Sequence, residues 1–174
     1  MPTRTPAPTS TLEVPLSDAD PSVGGSERGT RPERLGFGRM ELPVVPVGVA
    51  EDGMMELPST AYAIGWYKFG ARPADRSGTT VLAGHVDTRE EGLGPLAGLW
   101  AVDRGAEIVL TAADGTSRRY QVAEVRTIRK ARVPLEQIFA RAGAETLVVI
   151  TCGGPYDRRT GYRDNVILTA RPVG

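Results

Sequence analysis

The sequence predicts an all-β domain, a sandwich or a closed barrel, and three observations support that class. About seven or eight short apolar runs, rich in β-branched residues, are separated by Gly, Pro and Asp. Gly and Pro make up about a fifth of the chain, which favours many turns over long helices. Only residues 95–100 and 134–142 have helical character, and both stretches are short and begin with proline.

The predicted strands follow one another closely along the second half of the chain. In chain order, the apolar runs that predict them are 44–50, 79–86, 106–112, 118–128, 145–152 and 165–173. An Asp-Gly pair separates the third run from the fourth and predicts a tight hairpin, because Gly tolerates the positive φ that such turns need. The first run is followed by Glu-Asp-Gly and a second apolar stretch, which is also typical of a hairpin.

The N-terminal part of the chain differs in composition from the rest. Residues 1–33 are rich in Pro, Thr, Ser and Gly and predict a flexible tail or tether, while residues 34–174 form the predicted domain. The alternation of Leu12, Val14 and Leu16 leaves open a short strand that docks on the domain. The tail lacks the apolar core of a signal peptide.

Composition excludes several classes of function. The chain has 21 basic and 21 acidic residues, a balance that argues against nucleic-acid binding and against a polybasic membrane surface. With one Cys and one His, neither an intrachain disulfide nor a Cys/His zinc cluster is possible. No apolar run reaches about 18 residues, so no transmembrane helix is expected.

The single Cys and the single His occupy equivalent positions. Cys152 and His85 each end an apolar run and precede a polar segment, so two strands can deliver both side chains to one rim. A thiol becomes a useful nucleophile as a thiolate, and imidazole is the natural proton acceptor near neutral pH. Arg163 begins the last run, eleven residues after Cys152, and an antiparallel return would bring it back beside the thiol. Together these residues are consistent with acyl transfer, with the guanidinium holding the oxyanion.

Each residue also has a structural interpretation. A lone Cys in an apolar run can be a buried, inert hydrophobe, and a lone His can be a structural loop residue. An Arg at the start of a strand is commonly a solvated or ion-paired surface group. A non-enzymatic surface β-module therefore remains an alternative.

Three segments resemble the signature segments of sortases, the cysteine transpeptidases of Gram-positive cell surfaces. They are VLAGHVD around His85, VVITCGG around Cys152 and GYRDNV around Arg163. The tracts 44–58 and 65–73 are particularly similar to class F sortases of actinobacteria. The resemblance covers roughly residues 34–174.

The resemblance implies a closed eight-stranded β-barrel with one or two short helices. Cys152 would attack an LPxTG-like sorting signal of a surface protein, His85 would transfer protons, and Arg163 would stabilise the oxyanion. The thioester would be resolved by a cell-wall amine. This chemistry needs no metal or cofactor, and Asp87, Glu90 and Glu91 are expected to form a solvated loop. The enzyme would be extracytoplasmic at the cell surface, with membrane contact only through an N-terminal anchor absent from this chain.

The resemblance also suggests where substrate would bind. Residues 129–145 fall where sortases have the loop that holds the Leu-Pro part of the signal. Val133, Pro134, Leu135 and Ile138 are candidates for its apolar wall, although they could equally belong to the barrel core. Thr151, next to the thiol, is a further candidate, with β-propensity as its other interpretation.

Two alternative functions would use the same Cys/His chemistry. A cysteine peptidase of the same fold would hydrolyse the thioester with water instead of transferring it to an amine. An L,D-transpeptidase is disfavoured, because the Ser-x-Gly-Cys stretch of those enzymes is missing from the sequence.

Overall fold

The computed structural model describes residues 12–15 and 29–174, and β-strands account for nearly half of these residues. The strands are β1 Pro32–Phe37, β2 Met40–Val47, β3 Ile64–Tyr67, β4 Thr79–Ala83, β5 Asp87–Thr88, β6 Gly92–Leu93, β7 Glu107–Ala112, β8 Ser117–Arg129, β9 Thr146–Asp157 and β10 Gly161–Pro172. Eight of them close a barrel in the order β1-β2-β3-β4-β9-β10-β8-β7, and β5 and β6 form a separate two-stranded sheet. The closed eight-stranded barrel is therefore confirmed.

The hairpins form where the turn residues allow them. The Asp-Gly turn joins β7 to β8, with Thr111 paired to Ser117 and Gly115 at a φ of 83°. The run 44–50 makes only a single hairpin-like bridge, between Val49 and Met55. Most of that run belongs to β2, which pairs in parallel with β3.

The helices are short, as the sequence predicts. A 3-10 helix spans Pro95–Ala101 and buries Leu96 and Leu99. A 3-10 turn at Lys130–Arg132 and helix α1, Leu135–Ile138, lie between β8 and β9. None of the helices in the described part of the chain is long and apolar enough to cross a membrane.

The barrel wall separates two apolar clusters, because successive side chains of a strand point to opposite faces. Leu147 and Val149 of β9 belong to an interior cluster to which all eight barrel strands contribute. Val148 and Ile150 belong to a second cluster on the outer face, here called the outer cluster. Helix α1 packs there through Ile138, so the segment between β8 and β9 covers part of this face.

Part of the predicted tail lies against the barrel. The Val14 amide donates to the Gly53 carbonyl, and the Met55 amide donates to the Leu12 carbonyl. Leu12 is only 4% exposed and packs in the outer cluster. The docked strand left open by the sequence therefore forms in part, although Leu16 lies outside the described residues.

Candidate active site

The candidate nucleophile lies in the middle of β9, and the candidate base lies two residues beyond the end of β4, the parallel neighbour of β9. β4 pairs with β9 up to Ala83 and Ile150, and the Gly84 amide continues the ladder by donating to the Ile150 carbonyl at 3.1 Å. Ala83 and Ile150 both belong to the outer cluster. Cys152 follows Ile150 by two residues on β9 and His85 follows Ala83 by two residues, so continued alternation would put both side chains on the outer face.

Burial and nearby charges act on the Cys152 thiol, which is a free, half-buried cysteine. Burial raises the pKa of the thiol most strongly, and the negative charge of Asp87 raises it further. The positive charge and hydrogen bonding of Lys130 oppose this increase. The resting side chain is therefore a neutral thiol at neutral pH, so attack on a carbonyl requires that its proton move to a base.

On the other side of β9, the residue directly opposite Cys152 is Asn165 rather than Arg163. The register shifts between Tyr162 and Asp164, so Arg163 lies at an irregularity that an even antiparallel return does not predict. Asn165 is buried, and its side-chain nitrogen has no hydrogen-bond partner among the described residues.

Arg163 is held by its own neighbour. Its Nε and Nη2 donate to the two carboxylate oxygens of Asp164 at 2.7 and 2.8 Å. The Arg163 side chain is 51% exposed and that of Asp164 only 5%. The ion pair lowers the pKa of Asp164. His85 thus follows β4, Cys152 lies on β9 and Arg163 lies on β10, and these three strands are adjacent in the barrel. The Arg163 guanidinium is bound to a buried carboxylate.

A tyrosine links β10 to the segment that follows His85. The Tyr162 hydroxyl donates to Asp87 Oδ2 at 2.7 Å, and the Tyr162 ring packs edge-to-face on Tyr156 at 5.0 Å between centroids. Burial and this carboxylate raise the pKa of Tyr162 to about 12. Sequence reasoning missed this pair, although Tyr162 lies within the segment around Arg163.

The acidic segment after His85 is more ordered than a solvated loop. Glu90 is exposed, as expected. Glu91 accepts hydrogen bonds from the Thr60 hydroxyl, the Ala61 amide and the Thr88 hydroxyl. These bonds, that of Thr60 above all, lower the pKa of Glu91, and the charge of His85 adds to the effect. Among the described residues, no group of three or more His, Cys, Asp or Glu side chains lies close enough together to hold a metal ion.

The residues suggested for substrate binding occupy two environments. Val133 and Leu135 are partly buried against the outer cluster, and Ile138 is buried within it. Pro134 lines a cavity of about 210 Å³ whose walls also include Ile138, Val148 and Ile167.

Thr151 points away from that face. It is 3% exposed, and its hydroxyl donates to the Gly84 carbonyl at 2.8 Å. Direct contact of any of these residues with substrate remains a prediction.

The fold and the free cysteine define the class first: a closed β-barrel protein with a thiol on its outer wall. Within that class the sortase domain family matches residues 34–173, so the chain belongs to the sortase family. No curated protein matches the chain in sequence at a significant level.

Solved sortase structures share this fold. Sortase A from Corynebacterium diphtheriae aligns with a TM-score of 0.61 and 17% identity, over 86% of this chain and 63% of its own. Sortase C1 from Streptococcus suis gives 0.61 and 16%, over 83% and 74% of the two chains. Sortase C-1 from Actinomyces oris gives 0.61 and 15%, over 81% and 72%. The chain thus spans less than two thirds of the Corynebacterium protein, and at these identities the likeness shows the fold alone.

Proposed function

We propose that this protein is a transpeptidase of the class F type that cleaves an LPxTG-like sorting signal and transfers it to a cell-wall amine. The observation that supports the proposal is the parallel pairing of β4 with β9 up to Ala83 and Ile150, because the chain's only imidazole and its only thiol each follow that last pair by two residues. Membership of the sortase family supports the same chemistry. Such an enzyme would work at the cell surface, on surface proteins that bear the signal.

In the first half-reaction, the Cys152 sulfur attacks the Thr carbonyl of the signal. The S–H proton passes to His85 as the S–C bond forms, because the raised pKa of the buried thiol keeps it protonated until then. His85 then gives that proton to the leaving amine as the C–N bond breaks. The product is a thioester on Cys152 and a free amine.

In the second half-reaction, the acceptor amine attacks the thioester carbonyl. His85 removes the proton of the incoming amine and returns a proton to the departing sulfur. Arg163 is the proposed donor to the carbonyl oxygen in both tetrahedral intermediates. Its guanidinium has five N–H donors, of which two donate hydrogen bonds to Asp164, so donors remain for an oxyanion.

The apolar part of the signal would lie on the outer cluster. Val133 and Leu135 supply partly buried apolar surface on the same face of the sheet as Cys152, beside α1. Pro134 and Ile138 would complete this wall. We assign Thr151 to the site through its bond to Gly84, which orients the end of β4 beside the thiol.

Intact-protein mass spectrometry tests the proposal. The wild type and Cys152→Ala are each incubated with an LPxTG peptide, and a thioester adduct is expected on the wild type alone. Adding triglycine should convert the adduct into the ligated peptide. Ligation by a folded Cys152→Ala variant would rule out the mechanism.

The same experiment separates the rivals. If the only product is the free acid, with or without triglycine, the protein is a hydrolytic peptidase of the same fold. If no adduct forms and iodoacetamide fails to alkylate the native thiol, Cys152 is inert and the protein is a non-enzymatic module.

A further inference from the structure

Lys130 lies on the same face of the sheet as Cys152. Ile128 of β8 pairs with Asn165 of β10, and Asn165 pairs with Cys152 of β9, so these three form one row across the sheet. Ile128 packs against the outer cluster, which identifies the face of this row. Lys130 follows two residues later, half-buried, at the start of the 3-10 turn Lys130–Arg132.

From this position, two residues beyond the row that contains Cys152, the Lys130 side chain can approach the sulfur. Its positive charge and its hydrogen bonding both lower the pKa of Cys152. Arg163, a second cation near the site, is bound through two nitrogens to the buried carboxylate of Asp164. The cation that faces the sulfur is therefore a lysine, a compact charge that fits beside a single atom better than a planar fork does.

The groups around the sulfur come from every neighbouring element. His85 follows β4, Asp87 lies on β5, and Lys130 follows β8. Arg163 and Asp164 on β10 form an ion pair with each other, and Arg129 of β8 lies opposite Asp164. Tyr162 of β10 also faces the thiol, since the charge of Cys152 contributes to its raised pKa. Asp87 and Lys130 have opposite effects on the thiol, because the negative charge of Asp87 raises the pKa of Cys152 and Lys130 lowers it. The Asp87 carboxylate also accepts a hydrogen bond from the Tyr162 hydroxyl.

We propose that Lys130 is a further catalytic residue, whose ammonium stabilises the Cys152 thiolate while Arg163 serves the carbonyl oxygen. As the thiol proton passes to His85, negative charge develops on sulfur beside the ammonium. Lys130 keeps its own proton throughout, so the proton balance of each half-reaction is unchanged. The same charge stabilises the thiolate when it departs from the tetrahedral intermediate. This division of roles rests on the proposed function, but the effect of Lys130 on the thiol does not.

The test measures the pH dependence of Cys152 alkylation by iodoacetamide between pH 6 and 12. Lys130→Met removes the charge and retains much of the side-chain length, and its inflection should move to higher pH. A displacement of about one pH unit slows alkylation at pH 7 about tenfold. Lys130→Arg should restore most of the rate. Arg132→Met, an exposed position in the same turn, is the matched control and should follow the wild type.

A second readout separates this inference from the proposed function. With an LPxTG peptide, Lys130→Met should lower kcat more than it changes KM, and Lys130→Arg should recover part of kcat. If Lys130→Met does not fold, Lys130→Gln replaces it in both assays. A displaced inflection without wild-type transpeptidation would support the Lys130–thiol interaction and reject the proposed function. An inflection equal to that of the wild type, or an equal displacement in Arg132→Met, overturns the role of Lys130.

Discussion

The Thr151 hydroxyl donates a 2.8 Å hydrogen bond to the main-chain carbonyl of Gly84. Each residue directly precedes a candidate catalytic residue, so one buried bond ties the position of Cys152 to that of His85. Main-chain pairing alone continues only to the Gly84 amide, which donates to the Ile150 carbonyl. The relative placement of thiol and imidazole therefore depends on a side chain as well as on the sheet.

Replacing Thr151 by Val should lower both stability and activity. The change keeps the shape of the side chain but leaves the buried Gly84 carbonyl without this donor, which costs about 1–3 kcal/mol. Urea denaturation measures the stability, and kcat should fall with little change in KM. Thr151→Ser, which keeps the hydroxyl, should recover much of both.

Thr80→Val is the matched control for that experiment. Thr80 is buried on β4, and its hydroxyl has no hydrogen-bond partner in the described structure. Losing this hydroxyl should therefore be neutral or stabilising. If Thr151→Val and Thr80→Val behave alike, the bond to Gly84 does not contribute as argued.

Arg163→Lys should reduce transpeptidation by about a hundredfold or more, because one ammonium cannot bind Asp164 through two nitrogens and still stabilise an oxyanion. The measurement is kcat with an LPxTG peptide, together with the circular dichroism spectrum of the variant. Arg159→Lys, in the exposed turn between β9 and β10, serves as the control. Comparable activity in the two variants would remove Arg163 from the mechanism.

The Arg163–Asp164 pair should make stability depend on acidic pH. Because the pair lowers the pKa of Asp164, its contribution is present above the ordinary pKa of about 4 and is lost as pH falls through the lower, folded value. Asp164→Asn should flatten the dependence of the unfolding free energy on pH below about 4. Some slope should remain, since the pKa values of Glu91, Asp114 and Asp157 are also lowered. An unchanged slope in Asp164→Asn contradicts the assignment.

Together with burial, Asp87 should set the pH at which Tyr162 loses its proton. Ultraviolet titration of the folded protein should show Tyr162 losing its proton near pH 12. Asp87→Asn removes the negative charge and should move that step toward pH 10, whereas Glu90→Gln, at an exposed carboxylate nearby, should not. Because the raised pKa belongs to the folded state, the associated stability is present below pH 10 and is lost as pH rises toward 12. Identical titration curves for the two variants would exclude the hydrogen bond in solution.

The sequence predicts the strands that carry strong local signals and misses those that depend on context. The β7–β8 hairpin follows from its Asp-Gly turn, and β9 follows from an apolar run. β1 was missed because it has only two large apolar residues, Leu35 and Phe37, and includes the exposed, charged pair Glu33 and Arg34. β3 was missed because it has only four residues and is defined by parallel pairing with β2.

The residues of the candidate site likewise fall into those with a local sequence signal and those whose position depends on the rest of the fold. Cys152 and His85 are recognisable because each ends an apolar run. Lys130 and Asn165 approach the thiol only through the registers of β8, β9 and β10, which no local pattern reveals. The position of Arg163 depends on a register shift, so spacing alone predicts its strand but not its partner.

Because successive side chains of β9 alternate between the inner and the outer face of the barrel wall, the number of residues that precede Cys152 on this strand decides which face the sulfur occupies. Leu147 and Val149 fill the interior, while Val148, Ile150 and Cys152 lie outside. Inserting one residue between Ile150 and Cys152 would rotate the sulfur into the sealed interior of the barrel and away from any peptide. Inserting two would return it to the outer surface but carry it further past the end of β4, so the position of the thiol relative to β4 fixes the length of this strand segment.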